Sequence, residues 1–352
     1  MLARRLQRVF FRQIAAIAQK TRSRAVEGAA SCNVSHLNPT LQQAPQFGWQ
    51  ARTYFNDPRG AYVHFKPRGG PSRGSRQTAV LAVAGGGVII FYYTHREEIP
   101  YTHRRHAVFV SPETEKMLGL QTFQQVKAEA EAAGKLLPPQ HPAVRSVRAI
   151  GERIAAHAAD PAGGGRIDHM KGLKWEFVVI NEPGNVNAFV MPGGKVVVYT
   201  GLLQLLRKED EVAAVLGHEV AHVLARHIGE KLSSVAVFSL LQILLAVTLG
   251  FNIPSDVFQL AVFLPNSRKQ ESEADVIGIH LSARACFDPT AAVDVFTKLG
   301  EAEKSAGVRT PGFLRTHPLS QKRVEAIEKN LPKALEDYEL AGCNAPRGWF
   351  PW

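Results

Sequence analysis

One helical stretch, residues 211–232 (EVAAVLGHEVAHVLARHIGEKL), constrains this chain more than any other feature. It carries His218, Glu219 and His222 in the pattern HExxH. Residues four apart lie on the same face of a helix, so both imidazoles can reach one zinc ion while Glu219 lies beside the open coordination position. Zinc lowers the pKa of a water toward neutrality, and a neighbouring carboxylate can take the proton as an amide carbonyl is attacked. The pattern predicts a zinc-dependent hydrolase with two histidine ligands and a glutamate base.

The alternative interpretation of this stretch is an ordinary helix with two exposed histidines. The residues around the motif argue against it, because they form an apolar face of helical period that would bury the motif. The apolar residues of this face are Val212, Val215, Leu216, Val220 and Val223.

A third zinc ligand is expected downstream, in the segment SRKQESEAD. Ser267 and Gln270 fit a capping box and predict that a helix begins at Ser267. Glu271 is the leading candidate ligand, and Asp275, one turn later, is placed to orient a ligand histidine through a hydrogen bond. Without the HExxH motif this pair would indicate only a solvated acidic face. Glu273 is a competing ligand, but it lies on another face of the helix.

A further candidate, His317, precedes Pro318 and the helical segment PLSQKRVEAI. Proline in the first turn of a helix places His317 at or near the cap. His317 could donate a hydrogen bond to a developing oxyanion or regulate the metal, whereas a lone cap histidine is more often structural. Arg323 extends from the following helix and is a candidate to support the metal ligands without touching the metal.

Residues 175–181 and 195–199 are rich in β-forming side chains around turn-rich segments, which predicts a small antiparallel sheet. Between them lies NAFVMPGG. A strand here could follow the cleft and bind an extended peptide through Asn187, Ala188 and Phe189. An ordinary sheet edge is the equally simple alternative.

The N-terminal part of the chain divides by composition. Residues 1–32 are arginine-rich and amphipathic, which is typical of a mitochondrial transit peptide. Residues 33–76 form a basic, Pro/Gly-rich linker, and residues 77–94 are uncharged and predict one transmembrane helix, with a buried soluble helix as the alternative. Residues 95–140 form a connecting helical segment with a helix over about residues 112–133, and residues 141–352 form the catalytic domain, whose first helix covers about residues 142–159. The basic flank before the span would face the matrix, which places the catalytic domain in the intermembrane space.

The net charge of +11 suggests nucleic-acid binding until it is located. Much of the excess lies before residue 80, so no nucleic-acid partner is expected. The three cysteines are not paired at CxxC spacing and cannot form a zinc knuckle. Cys286 and Cys343 could form a disulfide in the intermembrane space, although free thiols are the expected state.

Four segments in order, NAFVMPGG, HEVAH, ESEAD and THPLSQKRV, resemble the HtpX-like and CAAX-prenyl-protease-like gluzincin family over about residues 140–330. The resemblance implies an α+β fold, mainly helical, with a small antiparallel sheet at the active-site cleft. It also implies a zinc-dependent endopeptidase with one Zn²⁺ per subunit, ligated by His218, His222 and Glu271, with Glu219 as base. The transit peptide and single span are similar to the Oma-type subgroup of the mitochondrial inner membrane.

That subgroup implies protein quality control, with membrane-tethered or unfolded proteins as substrates, inner-membrane lipid as a partner and a possible homo-oligomer. A non-catalytic alternative is a membrane-anchored binding or chaperone-like protein on the same fold. The presence of every expected ligand and of the base disfavours it.

The stretch 233–255 is uncharged and long enough to resemble a second membrane helix. However, His218, His222 and Glu271 must reach the metal from the same side, which excludes an odd number of crossings between them. We therefore expect this stretch to lie on or dip into the membrane, or to pack against the catalytic helices.

Overall fold

The computed structural model describes residues 73–159, 167–249, 264–305 and 311–343. The predicted transit peptide and most of the predicted linker lie outside these residues. The helices described are α1 Arg73–Thr94, α2 Pro112–Ala132, α3 Pro142–Ala158, α4 Thr200–Leu205, α5 Glu209–Leu224, α6 His227–Leu249, α7 Leu264–Arg284, α8 Ala291–Ser305, α9 Gly312–Thr316 and α10 Gln321–Leu340. The strands are β1 Arg96–Glu98, β2 Arg105–Ala107, β3 Glu176–Ile180, β4 Ala188–Met191 and β5 Lys195–Tyr199, and a 3₁₀ turn covers Asp168–Met170.

Helix α1 covers the stretch that was predicted to cross the membrane. Its large apolar side chains are exposed from Val83 to Tyr93. Among the helices of the described residues, none combines the length and the apolar character needed to cross a membrane. Most of α1 belongs to a separate unit that ends at Phe91, and the second unit begins at Tyr92.

The part of the connecting segment that lies between α1 and α2 forms a hairpin. Strands β1 and β2 pair antiparallel, with Glu97 opposite His106. Helix α2 then begins as predicted, because Ser111 caps it by accepting a hydrogen bond from the Thr114 N–H at 3.2 Å and Pro112 occupies its first turn. Helix α3 also matches its predicted bounds to within one residue.

The sheet beside the site is mixed, which corrects the prediction of an antiparallel sheet. Its strand order is β3-β5-β4, with β3 parallel and β4 antiparallel to β5. Strand β5, KVVVY, is almost a continuous apolar run and is buried from Val196 to Tyr199, as expected of a central strand. The β4–β5 hairpin leaves one side of β5 free, and β3 occupies that side. Strand β4 is therefore an edge strand.

The predicted single helix over 211–232 is broken into α5 and α6. Ala225 ends α5, and Arg226 follows with φ 50°, a left-handed conformation that is uncommon for a residue with a side chain. Glycine or asparagine usually marks such a break, and here neither is present. The break redirects the chain at His227, so that α6 does not continue the axis of α5.

Helix α5, which carries the HExxH motif, packs closely on α7 through two glycines. A Cβ on Gly217 would lie 2.7 Å from the Gly278 carbonyl oxygen, and a Cβ on Gly278 would lie 2.8 Å from the His218 nitrogen. The two backbones can approach because neither residue has a side chain. Helix α7 begins at Leu264, not at the predicted Ser267 cap, and Pro265 suits its first turn.

The main hydrophobic core lies where α3, α5, α7 and the sheet meet. Its fully buried side chains come from all of these elements and include Ile150, Ile154, Phe177, Val196, Leu216 and Ile277. Helix α10 packs on the other side of α7, where Ile279, Ala283, Ile327 and Ala334 form a smaller cluster. The face of α5 that carries the HExxH motif is thus held between the sheet and α7.

A disulfide joins Cys286, just after α7, to Cys343, just after α10. The expectation of free thiols is therefore wrong, and the pairing considered as the alternative is present. Sequence separation gave no guide, because the cysteines are 57 residues apart and only the packing of α7 on α10 brings them together.

Helix α6 covers the first part of the uncharged stretch 233–255, and residues 250–255 lie outside the described part of the chain. Val237 and Leu240 are exposed on this helix, by 50% and 68%. Contact of this stretch with a membrane stays a prediction.

Candidate metal centre

Helix α5 places three polar side chains in the interior of the protein. His218, Glu219 and His222 are all less than 9% exposed. The start of α5 is fixed by Glu211, whose carboxylate accepts hydrogen bonds from the Arg207 and Lys208 N–H groups and pairs with the Lys298 ammonium at 2.7 Å. This cap and the Gly217 contact with α7 determine where the two histidines point.

Four side chains bring metal-ligating atoms to one point. The imidazoles of His218 and His222 lie 3.1 Å apart between their Nε2 atoms, and Glu271 lies 3.4 Å from the first and 3.7 Å from the second. His317 Nδ1 lies 2.7 Å from Glu271 Oε2 and 3.2 Å from His218 Nε2. One ligand atom from each residue lies within 4.8 Å of the others.

This donor set fits a divalent metal. Buried histidine and carboxylate side chains are typical zinc ligands, and the close approach of three imidazoles and a carboxylate has a simple explanation if they share a cation. Burial alone would raise the pKa of Glu271, but its interactions with the neighbouring histidines, including hydrogen bonds with His317 and His218, lower that pKa, so the carboxylate charge is retained. An ionised carboxylate nearly excluded from water requires a positive partner, and Arg323 Nη1 lies 3.6 Å from Glu271 Oε2.

Asp275 lies behind His218, as predicted. Its Oδ1 is 2.9 Å from His218 Nδ1, so His218 keeps Nε2 free to face the ligand cluster. Arg323 holds Asp275 in turn, with Nε 2.6 Å from Oδ2 and Nη2 2.7 Å from Oδ1. Burial alone would lower the pKa of His218, but the carboxylates of Asp275 and Glu271 raise it to about 9 in the absence of a cation.

Glu219 projects toward the sheet. Its Oε2 accepts a hydrogen bond from the Val190 N–H at 2.9 Å. Its Oε1 is buried, and no described residue hydrogen-bonds to it, although His317 Nε2 lies 3.4 Å away. Burial raises the pKa of Glu219. One oxygen of this carboxylate is thus fixed, and the other is available beside the ligand cluster.

The predicted peptide-binding residues belong to the same edge of the sheet. The Val190 N–H points outward from β4 to Glu219, so the outer edge of this strand borders the site. Asn187 precedes β4 and is buried, and within the described residues its Oδ1 has no hydrogen-bond partner. The Ala188 side chain is fully buried and Phe189 is half-buried. The side chain of Ala188 therefore cannot line a pocket.

The structure adds residues that the sequence did not indicate. His227 Nδ1 lies 2.8 Å from His222 Nδ1, and His227 Nε2 lies 3.1 Å from Glu273 Oε2. In one continuous helix a residue five positions after His222 would face elsewhere, and only the break at Arg226 brings it back. Glu273, expected only as a competing ligand, lies outside the ligand cluster and contacts it through His227.

These contacts define a metallohydrolase site. It consists of an HExxH helix, whose glutamate has a free oxygen, and a downstream glutamate close to both histidines of the motif. The model of peptidase family M48 matches residues 145–331, which contain all of these groups. The chain belongs to peptidase family M48 and is a mitochondrial metalloendopeptidase.

Curated relatives support this assignment across nearly the whole chain. The chain is 37% identical over 277 residues to "Mitochondrial metalloendopeptidase OMA1" of Saccharomyces cerevisiae, covering 77% of this chain and 79% of the relative. It is 36% identical over 337 residues to the protein of the same name in Schizosaccharomyces pombe, covering 93% and 94%. A more distant relative, the "Putative beta-barrel assembly-enhancing protease" of Vibrio cholerae, is 34% identical over 176 residues, 45% of this chain and 36% of its own length.

Proposed function

We propose that this protein is a zinc-dependent endopeptidase of the mitochondrial inner membrane, with its catalytic domain in the intermembrane space. Its proposed substrates are membrane-tethered or misfolded proteins. The observation that carries the proposal is the buried cluster of His218, His222 and Glu271, with the free Oε1 of Glu219 beside it.

The proposed ligands of one Zn²⁺ per subunit are His218 and His222, each through Nε2, and the Glu271 carboxylate. When bound, zinc polarises a peptide carbonyl and makes water more acidic. Asp275 and Arg323 fix the ring of His218, so that its free nitrogen needs no reorganisation on binding.

Glu219 is the proposed general base. Its Oε1 takes a proton from the attacking water, while the Val190 N–H keeps Oε2 in place. Its raised pKa suits the role, because a base works best when its pKa approaches the working pH. The same Oε1 then delivers the proton to the leaving amine.

His317 is proposed to stabilise the oxyanion by donating a hydrogen bond. It follows the short helix α9, and its ring is stacked on Phe313, with centroids 4.6 Å apart. Its position among the ligand atoms also allows it to act as a fourth donor to the metal, the regulatory use considered from the sequence. Four protein ligands would close the site, so His317 must leave the metal during turnover in that case.

Strand β4 is proposed to bind substrate as an added strand. An extended peptide could lie along its outer edge, hydrogen-bonding to the Ala188 main chain, with Phe189 and Asn187 at the end of the groove. The neighbouring Val190 N–H reaches Glu219, so a peptide on this edge passes the proposed base.

Attachment to the inner membrane is proposed through α1, the predicted membrane-spanning segment. Its apolar side chains Val83, Val88 and Ile90 are 77%, 68% and 66% exposed, an arrangement that favours contact with lipid. Carbonate extraction of mitochondria and protease protection in mitoplasts test this attachment. Release into the carbonate supernatant, or a catalytic domain protected in mitoplasts, would contradict it.

The function itself is tested with Glu219→Gln, which keeps the size and polarity of the side chain but cannot act as a base. We expect the variant to retain zinc in equal proportion to the wild type and to lose casein cleavage by about 10²–10⁴-fold. Full activity of the variant would refute the assignment. An inactive wild-type protein that still holds zinc would favour the non-catalytic binding protein instead.

A further inference from the structure

The two proposed histidine ligands are supported in different ways. His218 hydrogen-bonds directly to a carboxylate, Asp275. His222 has instead the imidazole of His227 behind it, with Nδ1 2.8 Å from Nδ1. His227 is completely buried and lies outside the ligand cluster, so the chemistry described above does not use it.

Hydrogen bonding determines which ring nitrogens of His222 and His227 carry a proton. If His222 presents its Nε2 lone pair to the metal, its proton must be on Nδ1, which then donates to His227 Nδ1. His227 must therefore be neutral and carry its proton on Nε2. His227 Nε2 lies 3.1 Å from Glu273 Oε2, which can accept that proton. Each of the two N–H donors, on His222 and on His227, therefore has an acceptor.

The Glu273 carboxylate is held by residues of the β1–β2 hairpin. Arg104 donates from Nε to Glu273 Oε2 at 2.8 Å, and Thr102 donates to the other oxygen. The same guanidinium bonds both oxygens of Glu230, at 2.9 and 2.8 Å. Arg104 thus connects Glu273 on α7 to Glu230 on α6.

The backbone break that positions His227 is held by the same N-terminal segment. Arg226 has its left-handed backbone conformation fixed by pairing with both oxygens of Glu97, at 2.7 and 2.8 Å. It also contacts Glu115 on α2 and donates to the Val110 carbonyl at 2.7 Å. Such a conformation is unfavourable by itself and persists because its surroundings impose it.

From these contacts we propose that His227, Glu273 and Arg104 are positioning residues that orient metal ligand His222. The β1–β2 hairpin is then a functional part of the metal centre, although it lies outside the residues matched by the family model. The inference rests on the proposed function in one respect, that His222 is a zinc ligand. None of the three residues belongs to the ligand cluster.

The first test measures zinc affinity by chelator competition in the full chain carrying Glu219→Gln, which prevents self-cleavage. His227→Phe keeps the ring but removes both hydrogen bonds, and we expect zinc affinity to fall about 10–100-fold. His227→Gln can still accept a hydrogen bond from His222 and should recover part of the loss. Visible absorption of the Co²⁺-loaded protein should shift in His227→Phe, because the ring of His222 is no longer fixed.

His280→Phe is the matched control. His280 is also a buried histidine paired with a carboxylate, Asp337, at 2.6 Å, but it is outside the ligand cluster. Its substitution should lower the melting temperature of the metal-free protein and leave zinc affinity within about twofold of the parent. An equal loss of zinc affinity in both variants would reduce the role of His227 to folding and overturn the proposal.

The hairpin is tested separately with Arg104→Leu and Arg105→Leu. Arg105 neighbours Arg104 but is exposed. Among the described residues, its side chain pairs only with Glu98. We expect a several-fold loss of zinc affinity for Arg104→Leu and no change for Arg105→Leu. Unchanged zinc affinity in both His227→Phe and Arg104→Leu would reject the positioning role. A parent protein that binds no zinc would instead reject the proposed function, and the positioning role with it.

Discussion

The His218 side and the His222 side of the candidate metal centre differ in how directly a carboxylate supports the histidine. On the His218 side, Asp275 contacts the ring directly and Arg323 contacts Asp275, and all three are buried. On the His222 side an imidazole intervenes before the carboxylate, and the arginine, Arg104, has 28% of its side chain exposed. The first side belongs to the family-matched domain, and the second depends on the hairpin before it. One catalytic motif therefore uses one support within the domain and another outside it.

Removing the ligand that the two sides share should have the largest effect. Glu271 lies within 3.7 Å of both histidines, so Glu271→Ala should abolish stoichiometric zinc binding and proteolysis together. Metal analysis of the purified protein checks this. His280→Phe again serves as the control, because His280 is buried, pairs with Asp337 outside the ligand cluster and should affect stability but not metal content. Stoichiometric zinc in Glu271→Ala would move the third ligand elsewhere.

The arginines at the ends of the two supports should differ in their effect on stability. Arg323→Leu leaves Asp275 buried without its charged partner, which costs about 3–5 kcal/mol of unfolding free energy. Arg104→Leu should cost less, since this side chain is partly exposed and water can replace it. Denaturant unfolding of the metal-free proteins compares the two directly. Equal destabilisation would remove the contrast in burial between the two sides.

The disulfide should stabilise the packing of α7 on α10, which brings Asp275 and Arg323 together on the His218 side. Cys286 and Cys343 join the ends of α7 and α10, the helices that carry Asp275 and Arg323. Cys286→Ala combined with Cys343→Ala should therefore lower the unfolding free energy by about 2–4 kcal/mol, through the freedom gained by the unfolded chain. Thermal unfolding measures the loss, and thiol labelling with and without reductant checks the bond itself. Equal labelling in both conditions would show that the thiols are free.

Some of the site could be predicted because it depends on local helical geometry. The four-residue spacing of His218 and His222 requires only that the segment be helical, and the same is true of Glu271 and Asp275 on α7. The structure brings these residues together as expected, with His317 beside them. Helices α2 and α3 were also predictable, since capping residues and apolar periodicity are properties of short segments.

Other features were decided at long range. The mixed sheet depends on which side of β5 was left for β3, and the disulfide depends on the packing of α7 on α10.

The sequence by itself determined the proposed ligands, the proposed base and the carboxylate behind His218, because a helix fixes the spacing of residues three or four positions apart. Tertiary structure alone decided the second support. Arg226 lacks the glycine or asparagine that would indicate a helix break, and its conformation is imposed by Glu97, 129 residues earlier in the chain. Local propensity does not encode a conformation that a distant ion pair stabilises, so His227, Glu273 and Arg104 could be recognised only once the chain had folded.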